Sequence, residues 1–416
     1  MNHRLVEQAG IDMFQLPSRR GWPETGEGLA EVTWMWWTVL AAFTLVLVTW
    51  TCLRITIGNR RLGKLRDQDP AGIDRWPSVS VVVAARNEEE NLQEALESLL
   101  RMDYDNYEVI VVDDRSVDRT ADILEECSAE HSRLTVLHVG QLPAGWLGKN
   151  HAQWRGAQVA KAEYVLFTDA DVTMNPETLR RAMAYVVRQR VDHLTMTPDA
   201  VMPSLILQAF VVLFLNLFAL FTRPWNVANP KSSAFIGIGA FNLVRADVYQ
   251  AVGTHEAIAM RPDDDVKLGK IIKRRGYRQR VVWGSDMISV PWYGSVRALV
   301  RGMEKNAFAG VDYRIGMVLA ASLALGLFAI WPFIAVWLLD GPARYLYAFS
   351  VLVLLGRAWI TAVELRQSCW CVPLVPVAAG MLIYIQWRAM VLLYVNNGIR
   401  WRDTHYSLSE LKANRV

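Results

Sequence analysis

Val79-Ser80-Val81-Val82-Val83-Ala84-Ala85-Arg86-Asn87-Glu88 is a short β-branched run that ends abruptly in charge. Pro77 precedes it, and beyond Glu90 the apolar residues change period, with Leu92, Ala95, Leu96 and Leu99 recurring along one helix face. The stretch reads as a buried strand followed by a helix. Asn87 is expected as the N-cap, with Glu88, Glu89 and Glu90 in the first turn, where the helix dipole favours carboxylates.

The same unit recurs downstream. Residues 108–112 form a second apolar strand that ends in Asp113-Asp114-Arg115-Ser116, and a helix is expected over about 117–127. Residues 134–139 read as a third strand, followed by the loop Gly145-Trp146-Leu147-Gly148-Lys149 and a helix over about 150–160. The fourth strand, 164–168, runs into Asp169-Ala170-Asp171, and Asn175-Pro176-Glu177 opens another helix with proline at its first position. Alternating strands and helices with near-continuous apolar strands predict an α/β domain whose mostly parallel sheet carries helices on both faces. Ligands of such sheets bind beyond the carboxyl ends of the strands. Three acidic or basic clusters fall at that edge here. No Gly-x-Gly-x-x-Gly follows the first strand and no Walker lysine loop is present, which argues against dinucleotide and P-loop chemistry.

Composition adds a second theme. Of 416 residues, 52% are hydrophobic and 20% charged, more apolar than an ordinary soluble domain. The surplus sits at the two ends. Residues 32–57, 315–339, 345–363 and 372–395 are apolar runs of about the length that crosses a bilayer, the first with Trp34, Trp36 and Trp37 at interface depth. Arg388 inside the last run marks it as tilted or interfacial, and being nearly alone among the spans it argues against a transporter. A further apolar run, 201–222, lies within the globular region. Crossing there would separate its flanking residues by a membrane, so it is expected in the interface or packed on the domain.

Arg60, Arg61, Lys64 and Arg66 follow the first span closely, whereas Arg19 and Arg20 lie further ahead of it. The positive-inside rule then predicts a multi-pass protein of the cell (inner) membrane with a cytoplasmic domain. The basic tail, with Arg400, Arg402, Lys412 and Arg415, prefers the same side, although three further full spans would leave it outside. A net charge of +3 offers nothing for a nucleic-acid partner. Cys52, Cys127, Cys369 and Cys371 match neither a disulfide framework nor a zinc pattern, and His151, His193 and His255 lack metal-ligand spacing.

Each cluster suggests a chemistry. Asp169 and Asp171 can hold Mg²⁺ or Mn²⁺, hard cations that take one or two carboxylates and fill their other positions with water and phosphate oxygens. Asp113-Asp114 can accept from a base imide or ribose hydroxyls, and Lys149 can reach a diphosphate as a point charge. Phe235-Ile236-Gly237-Ile238-Gly239-Ala240-Phe241 permits close backbone approach to a ligand. Arg261-Pro262-Asp263-Asp264-Asp265 precedes a helix over 266–274, and a carboxylate beside other carboxylates has its pKa raised toward that of a useful base. Any one of these is also an ordinary strand end or helix cap. Their coincidence at one edge favours a site.

Together the motifs resemble the family 2 glycosyltransferases of the GT-A fold in their membrane-bound form. The matching pieces are residues 79–88, Val-Val-Asp-Asp-Arg-Ser-Val-Asp-Arg-Thr at 111–120, Gly148-Lys149, Asp169-Ala170-Asp171, the glycine-rich 237–244, and Asp264-Asp265-Val266-Lys267-Leu268. They run in the family's order over about 78–276. The span arrangement and Ile399-Arg400-Trp401-Arg402 are similar to members that glycosylate hydroxylated lipids such as ceramides, hopanoids or carotenoids.

The resemblance implies a metal-dependent inverting enzyme that moves a sugar from a nucleotide sugar, UDP-linked, to a lipid hydroxyl. By it, Ala84, Arg86 and Glu88 line the nucleotide pocket and Asp114 faces the base. Asp169 sits near ribose and metal, Asp171 is the main ligand of Mg²⁺ or Mn²⁺, and Asp265 is the base with Asp264 beside it. Lys149 and Arg301 meet the diphosphate. The (Gln/Arg)-x-x-Arg-Trp motif that processive synthases and ceramide transferases carry is degraded to Ala298-Leu299-Val300-Arg301-Gly302, which removes the ring on which an acceptor sugar would stack and argues against a processive synthase. A processive synthase of the same fold and a non-catalytic nucleotide-binding scaffold are the alternatives. The implied layout is an N-terminal segment (1–31), a span (32–57), a basic linker (58–77) and a nucleotide-sugar half (78–200). An acceptor-side half (201–309), C-terminal spans (315–396) and a tail (397–416) complete it.

Overall fold

The computed structural model describes residues 25–401 and 404–414, with side chains from Trp34 onward. Arg19, Arg20, Arg402 and Arg415 lie outside the described residues, as does most of the expected N-terminal segment.

Helix α1 (Thr25–Asn59) extends seven residues ahead of the apolar run that announced it. It leads into the alternating half: β1 (Val79–Ala85), α2 (Leu92–Leu100), β2 (Tyr107–Asp114), α3 (Thr120–Glu130), β3 (Leu134–Val139), α4 (Gly148–Val159) and β4 (Tyr164–Asp169). The second half holds β5 (Thr173–Met174), α5 (Thr178–Gln189), β6 (His193–Thr197), β7 (Asp199–Ala200) and α6 (Leu205–Thr222). It continues with β8 (Asn242–Arg245), α7 (Ala246–Ala251), α8 (Asp264–Arg274), β9 (Gln279–Trp283) and β10 (Ile288–Val290).

The main sheet has the order β3-β2-β1-β4-β8-β6-β9, and β5-β10-β7 form a small second sheet. Only β8 runs antiparallel to its neighbours in the main sheet. The pleat of β1 explains why its strand is apolar throughout. Val79, Val81 and Val83 enter a core with Leu92 and Leu96 of α2 and Leu179 and Met183 of α5. Val82 enters another with Ala152 of α4, Val248 of α7 and Leu268 of α8. Both faces are covered, as the sequence implied. Pairing of Ala85 with Asp113 and of Ala84 with Asp169 brings the strand ends to one edge.

Two helix starts differ from expectation. Asn87 is not an N-cap: it adopts a left-handed φ of 50°, and its Oδ1 accepts from Val117 N–H at 2.9 Å. The Glu88 and Glu89 amides donate to Thr120 Oγ1 and Asp118 Oδ2, so the loop after β1 is latched to the loop after β2 and α2 begins only at Leu92. Pro176 precedes α5 instead of opening it, because its carbonyl accepts from Asp103 N–H and Asn175 Oδ1 accepts from Glu177 N–H.

The C-terminal part comprises α9 (Val296–Ala307), α10 (Ile315–Leu325), a π-helical turn, α11 (Trp331–Leu338), α12 (Gly341–Glu364) and α13 (Val375–Val395). A hairpin of β11 (Gly398–Trp401) and β12 (Thr404–Ser407) and the short α14 (Leu408–Ala413) follow. Among the described residues five helical segments are long and apolar enough to cross a membrane: α1, α6, α10 with α11, α12 and α13.

Their packing is uneven. Trp37 of α1 stacks on Trp331 of α11, and Ala41 packs with Ala343 and Tyr347 of α12, at the end of α1 away from the globular domain. Both ends of α6 instead meet that domain: β7 precedes it, and past its last turn Val227 packs with Ile236 and with Val281 of β9. The same holds for α13, whose Val375 shares a core with Ala200 and Leu207 while Met390 and Leu393 pack on Leu147 and Met260. Arg388 is not the sole charge in these helices. Arg357 of α12 is buried, bonded to Glu364 at 2.8 Å, Asn216 at 2.9 Å and Thr56 at 3.1 Å.

Candidate active site

Three chain segments converge beyond the carboxyl ends of β1, β2 and β4. The start of α4 supplies Gly148 and Lys149, and Lys149 Nζ lies 2.5 Å from Asp169 Oδ1 and 3.8 Å from Asp264 Oδ2. The loop ahead of β8 supplies Gly237 and Gly239, and the start of α8 supplies Asp264 and Asp265. Asp265 accepts from Gly239 N–H through Oδ2 and from Val266 N–H through Oδ1, both at 2.7 Å. Asp114, nearly buried, is paired with Arg115 at 2.8 Å and Arg86 at 3.6 Å.

The glycines border the cavity of the site and also allow close contacts within the protein. A Cβ at Gly148 would overlap the Asp114 carboxylate, and one at Gly237 would overlap the Asp265 carbonyl. At Gly239 it would meet Asp169 Oδ2 at 2.8 Å. Asn150, fully buried one residue after Lys149, directs its amide at the carbonyls of Ile258, Ala259 and Arg261 and so ties α4 to the approach of α8.

Charge is concentrated and only partly balanced. Burial pushes the Asp265 carboxyl up to about 7, with Asp264 adding to the effect. Asp171 is likewise pushed up to about 7 by burial, then by Asp169 and Glu88. Asp264 is raised by burial and by Asp169. Burial disfavours the Lys149 ammonium, but Asp169, Asp264 and Asp265 outweigh it and hold the side chain protonated above its usual range. Asp263, the first of the three adjacent carboxylates, has another task. It pairs with Arg261 at 2.8 Å and Lys267 at 3.5 Å, and both cations also reach Asp312.

These groups line one cavity of about 1110 Å³. Ala84, Arg86, Glu88, Asp114, Lys149, Asp169, Asp171, Asp264 and Asp265 all border it. Arg301 does not. It is exposed on α9, and Lys305, one turn on, borders the cavity with its Nζ 3.9 Å from the centre of the Trp401 ring. Sequence reasoning also passed over Asn306, Gln386 and Tyr406, which border the same cavity. For the tail residues the alternation Ile399, Trp401 with charge between them was the available signal.

The three histidines stay outside this chemistry. His193 and His255 are buried, depressed to about 4 and about 3 by that burial, and bonded to Asn242 and Tyr249. Among the described residues no group of three or more His, Cys, Asp or Glu side chains is assembled as a metal cage. Asp169 and Asp171 nevertheless fit a hard divalent cation that completes its shell with phosphate and water. The acidic excess at Asp171 is what such an ion would neutralise.

The Glycosyl transferase family 2 pattern matches residues 80–253, which hold β1 to α7 and with them Lys149, Asp169 and Asp171. Residues 80–253 are a family 2 glycosyltransferase domain. The 4,4'-diaponeurosporenoate glycosyltransferase of Staphylococcus haemolyticus is 27% identical over 259 residues, spanning 61% of this chain and 67% of that one. The beta-monoglucosyldiacylglycerol synthase of Nostoc is 32% identical over 117 residues, 28% of this chain and only 25% of that one. Among solved structures, mannosyltransferase PcManGT from Pyrobaculum calidifontis, in complex with GDP-Man and Mn²⁺, superposes with a TM-score of 0.55 at 19% identity, covering 86% of this chain and 99% of that one. That likeness shows the GT-A-type fold. In this chain α8, α9, the apolar helices other than α6 and the C-terminal hairpin add walls to the cavity from beyond the matched domain.

Proposed function

We propose that this glycosyltransferase moves a sugar from a nucleotide sugar, UDP-linked by the family resemblance, to a hydroxyl of a lipid acceptor, with inversion. The observation that carries the reading is the continuity of the cavity. From Asp169, Asp171 and Asp265 it runs between α6, α10 and α12 to Leu47, Val48, Thr51 and Ile55 of α1, residues in the middle of an apolar helix. A water-soluble acceptor has no use for such a passage, whereas an acyl or isoprenoid chain matches its lining. Along it lie Asn306 Oδ1 and Gln386 Oε1, both buried with no hydrogen-bond partner among the described residues. A hydroxyl-bearing head group would satisfy them.

In this mechanism Asp265 takes the proton of the acceptor hydroxyl as its oxygen attacks the anomeric carbon on the face opposite the nucleotide. The Gly239 and Val266 amides hold both carboxylate oxygens in place, and burial beside Asp264 gives Asp265 the basicity the step needs. Lys149 fixes Asp169 and Asp264 in register and offers positive charge to the departing diphosphate. Asp171, with Asp169, would hold Mg²⁺ or Mn²⁺, which neutralises charge developing on the leaving group. Asp114, Arg86, Glu88 and Ala84 form the nucleotide end.

The membrane part of the proposal is that α1, α10 with α11, and α12 cross the bilayer, while α6 and α13 lie against the cytoplasmic domain. The exposed aromatic and aliphatic side chains of these helices, and the return of both ends of α6 and α13 to the domain, support it. The deciding experiment incubates purified full-length protein and Mn²⁺ with radiolabelled UDP- and GDP-sugars and extracted lipids. Label should move into the organic phase from one donor. Label that remains in water-soluble product or long polymer refutes the lipid reading.

A further inference from the structure

The tail beyond α13, basic in sequence, folds back over the site. In the hairpin Ile399 pairs with Tyr406 and Trp401 with Thr404, so these four residues share one face, and Arg400 and His405 share the other. Burial follows that division. Ile399 and Tyr406 are 9% and 6% exposed, whereas Arg400 and His405 are open to solvent. The inner face is held down at both ends. Ile399, Tyr406 and Leu411 share a core with Leu147 and Met260, and Asn414 bonds Ala257 O and Met260 N. A capping box between Ser407 and Glu410 turns the strand into α14 at the required point.

What the inner face meets is the cavity of the proposed transfer reaction. Tyr406 borders that cavity and also a smaller one of about 470 Å³ beside Arg115 and Trp146. Its phenol lies against the Gly148 amide and near Asp114 and Arg115, at the nucleotide end. Trp401 borders the large cavity nearer α9, its ring faced by Lys305 Nζ at 3.9 Å.

We infer that the C-terminal hairpin is part of the donor site: Tyr406 closes the nucleotide end and Trp401 is the aromatic platform for the transferred sugar. This rests on the donor reading above. Rings suit both tasks because a base and the C–H face of a pyranose each pack on an aromatic surface and leave polar edges free for hydrogen bonds.

The test measures dissociation constants of UDP, GDP and their hexose conjugates for the purified full chain with Mn²⁺, by calorimetry. Tyr406→Ala should weaken the free nucleotide and the nucleotide sugar alike, by roughly fivefold or more. Trp401→Ala should weaken the nucleotide sugar by roughly two- to tenfold while leaving the free nucleotide nearly unchanged. Tyr406→Phe and Trp401→Phe, which keep a ring, should bind within about threefold of the parent, and Arg400→Ala on the outer face should match it. Melting temperatures within a few degrees certify that each variant is folded. Should the parent chain bind no nucleotide sugar, the donor reading itself fails. If it binds and the folded alanine variants bind equally well, the hairpin has no part in the donor site.

Discussion

Replacing Gly237 by alanine tests the geometry of the site through a residue that takes no part in its chemistry. The added methyl would be driven into the Asp265 carbonyl oxygen and would stand 3.0 Å from Val266 N, at the limit real Cβ atoms respect. Backbone on both sides leaves no flexible side chain to yield. The first turn of α8 must therefore shift by roughly an ångström, carrying Asp265 with it and stretching its 2.7 Å bond from Gly239. Misplacement on that scale costs about 10²-fold in rate, equivalent to about 2.7 kcal/mol of transition-state stabilisation. Overpacking adds about 1–3 kcal/mol of destabilisation, a fall in melting temperature of roughly 2–10 °C for a domain of this size. The assay is initial-rate transfer under saturating donor, with Gly294→Ala as the matched control, since a methyl there meets nothing within 4 Å. The expected result is a folded variant with kcat down about a hundredfold and the control unchanged. A Gly237→Ala enzyme that is folded and within threefold of the parent kcat would show that the start of α8 does not set the reaction geometry.

Asp265→Asn should lower kcat by about 10²–10⁴-fold, the usual cost of losing a positioned base, while calorimetry shows nucleotide binding intact. Asp171→Ala should weaken nucleotide binding in the presence of Mn²⁺ and leave Mn²⁺-free binding unchanged, read from paired titrations. Because the Asp265 carboxyl is raised to about 7 and the base must be ionised, kcat/KM should fall about tenfold per unit as pH drops below 7. The same shift has a stability sign: the contribution of Asp171 and Asp265 is fully present below about 4 and is lost as pH rises through 7. Added Mn²⁺ should therefore raise the melting temperature more at pH 8 than at pH 5. Single cysteines at positions 175 and 255, on either side of α6, should label from the same face of sealed vesicles, and labelling from opposite faces would overturn the placement of that helix.

Sequence carried the alternating half of the fold because each strand there reports its own environment. A parallel strand buried on both faces has to be apolar at every position, so 79–85 and 108–112 could be read without context, and their polar ends marked the edge where ligands bind. Asn87 was misread for the opposite reason. Its role depends on Val117 and Ser116, thirty residues away, which outcompete the local helix for its side chain and backbone. Asp263, Asp264 and Asp265 looked equivalent because adjacency is all a sequence shows. Their separation into an Arg261–Lys267 cluster, a Lys149 partner and a Gly239 acceptor is set by 100° of helix rotation per residue and by segments far away in the chain. Arg301 is exposed outside the cavity lining, whereas Lys305, one turn on, borders the cavity and carried no motif at all. Arg357 was missed because one arginine scarcely alters the mean hydropathy of α12, and only packing brings Glu364, Asn216 and Thr56 to it.

The placement of the tail also bears on how the helices meet the membrane. The hairpin and α14 pack on Leu147, Met260 and Ala257, so residue 398 lies on the same side as the globular domain. On the membrane arrangement proposed above, the chain would then cross an even number of times between the end of α1 and residue 398. Of the four apolar segments in that interval, α6 follows β7 and ends against β9, two strands of one domain, and in the proposed arrangement it contributes no crossing. Three segments remain, and three crossings would strand the tail on the far side. α11 and the start of α12 meet α1 at Trp37 and Ala41, away from the domain, so in the proposed arrangement those two segments are the ones that go out and return. The one left over is α13. Its charge, Arg388, is bonded at 2.5 Å to Glu304 of α9, a helix outside the five apolar segments, which ties α13 to the part of the chain next to the site.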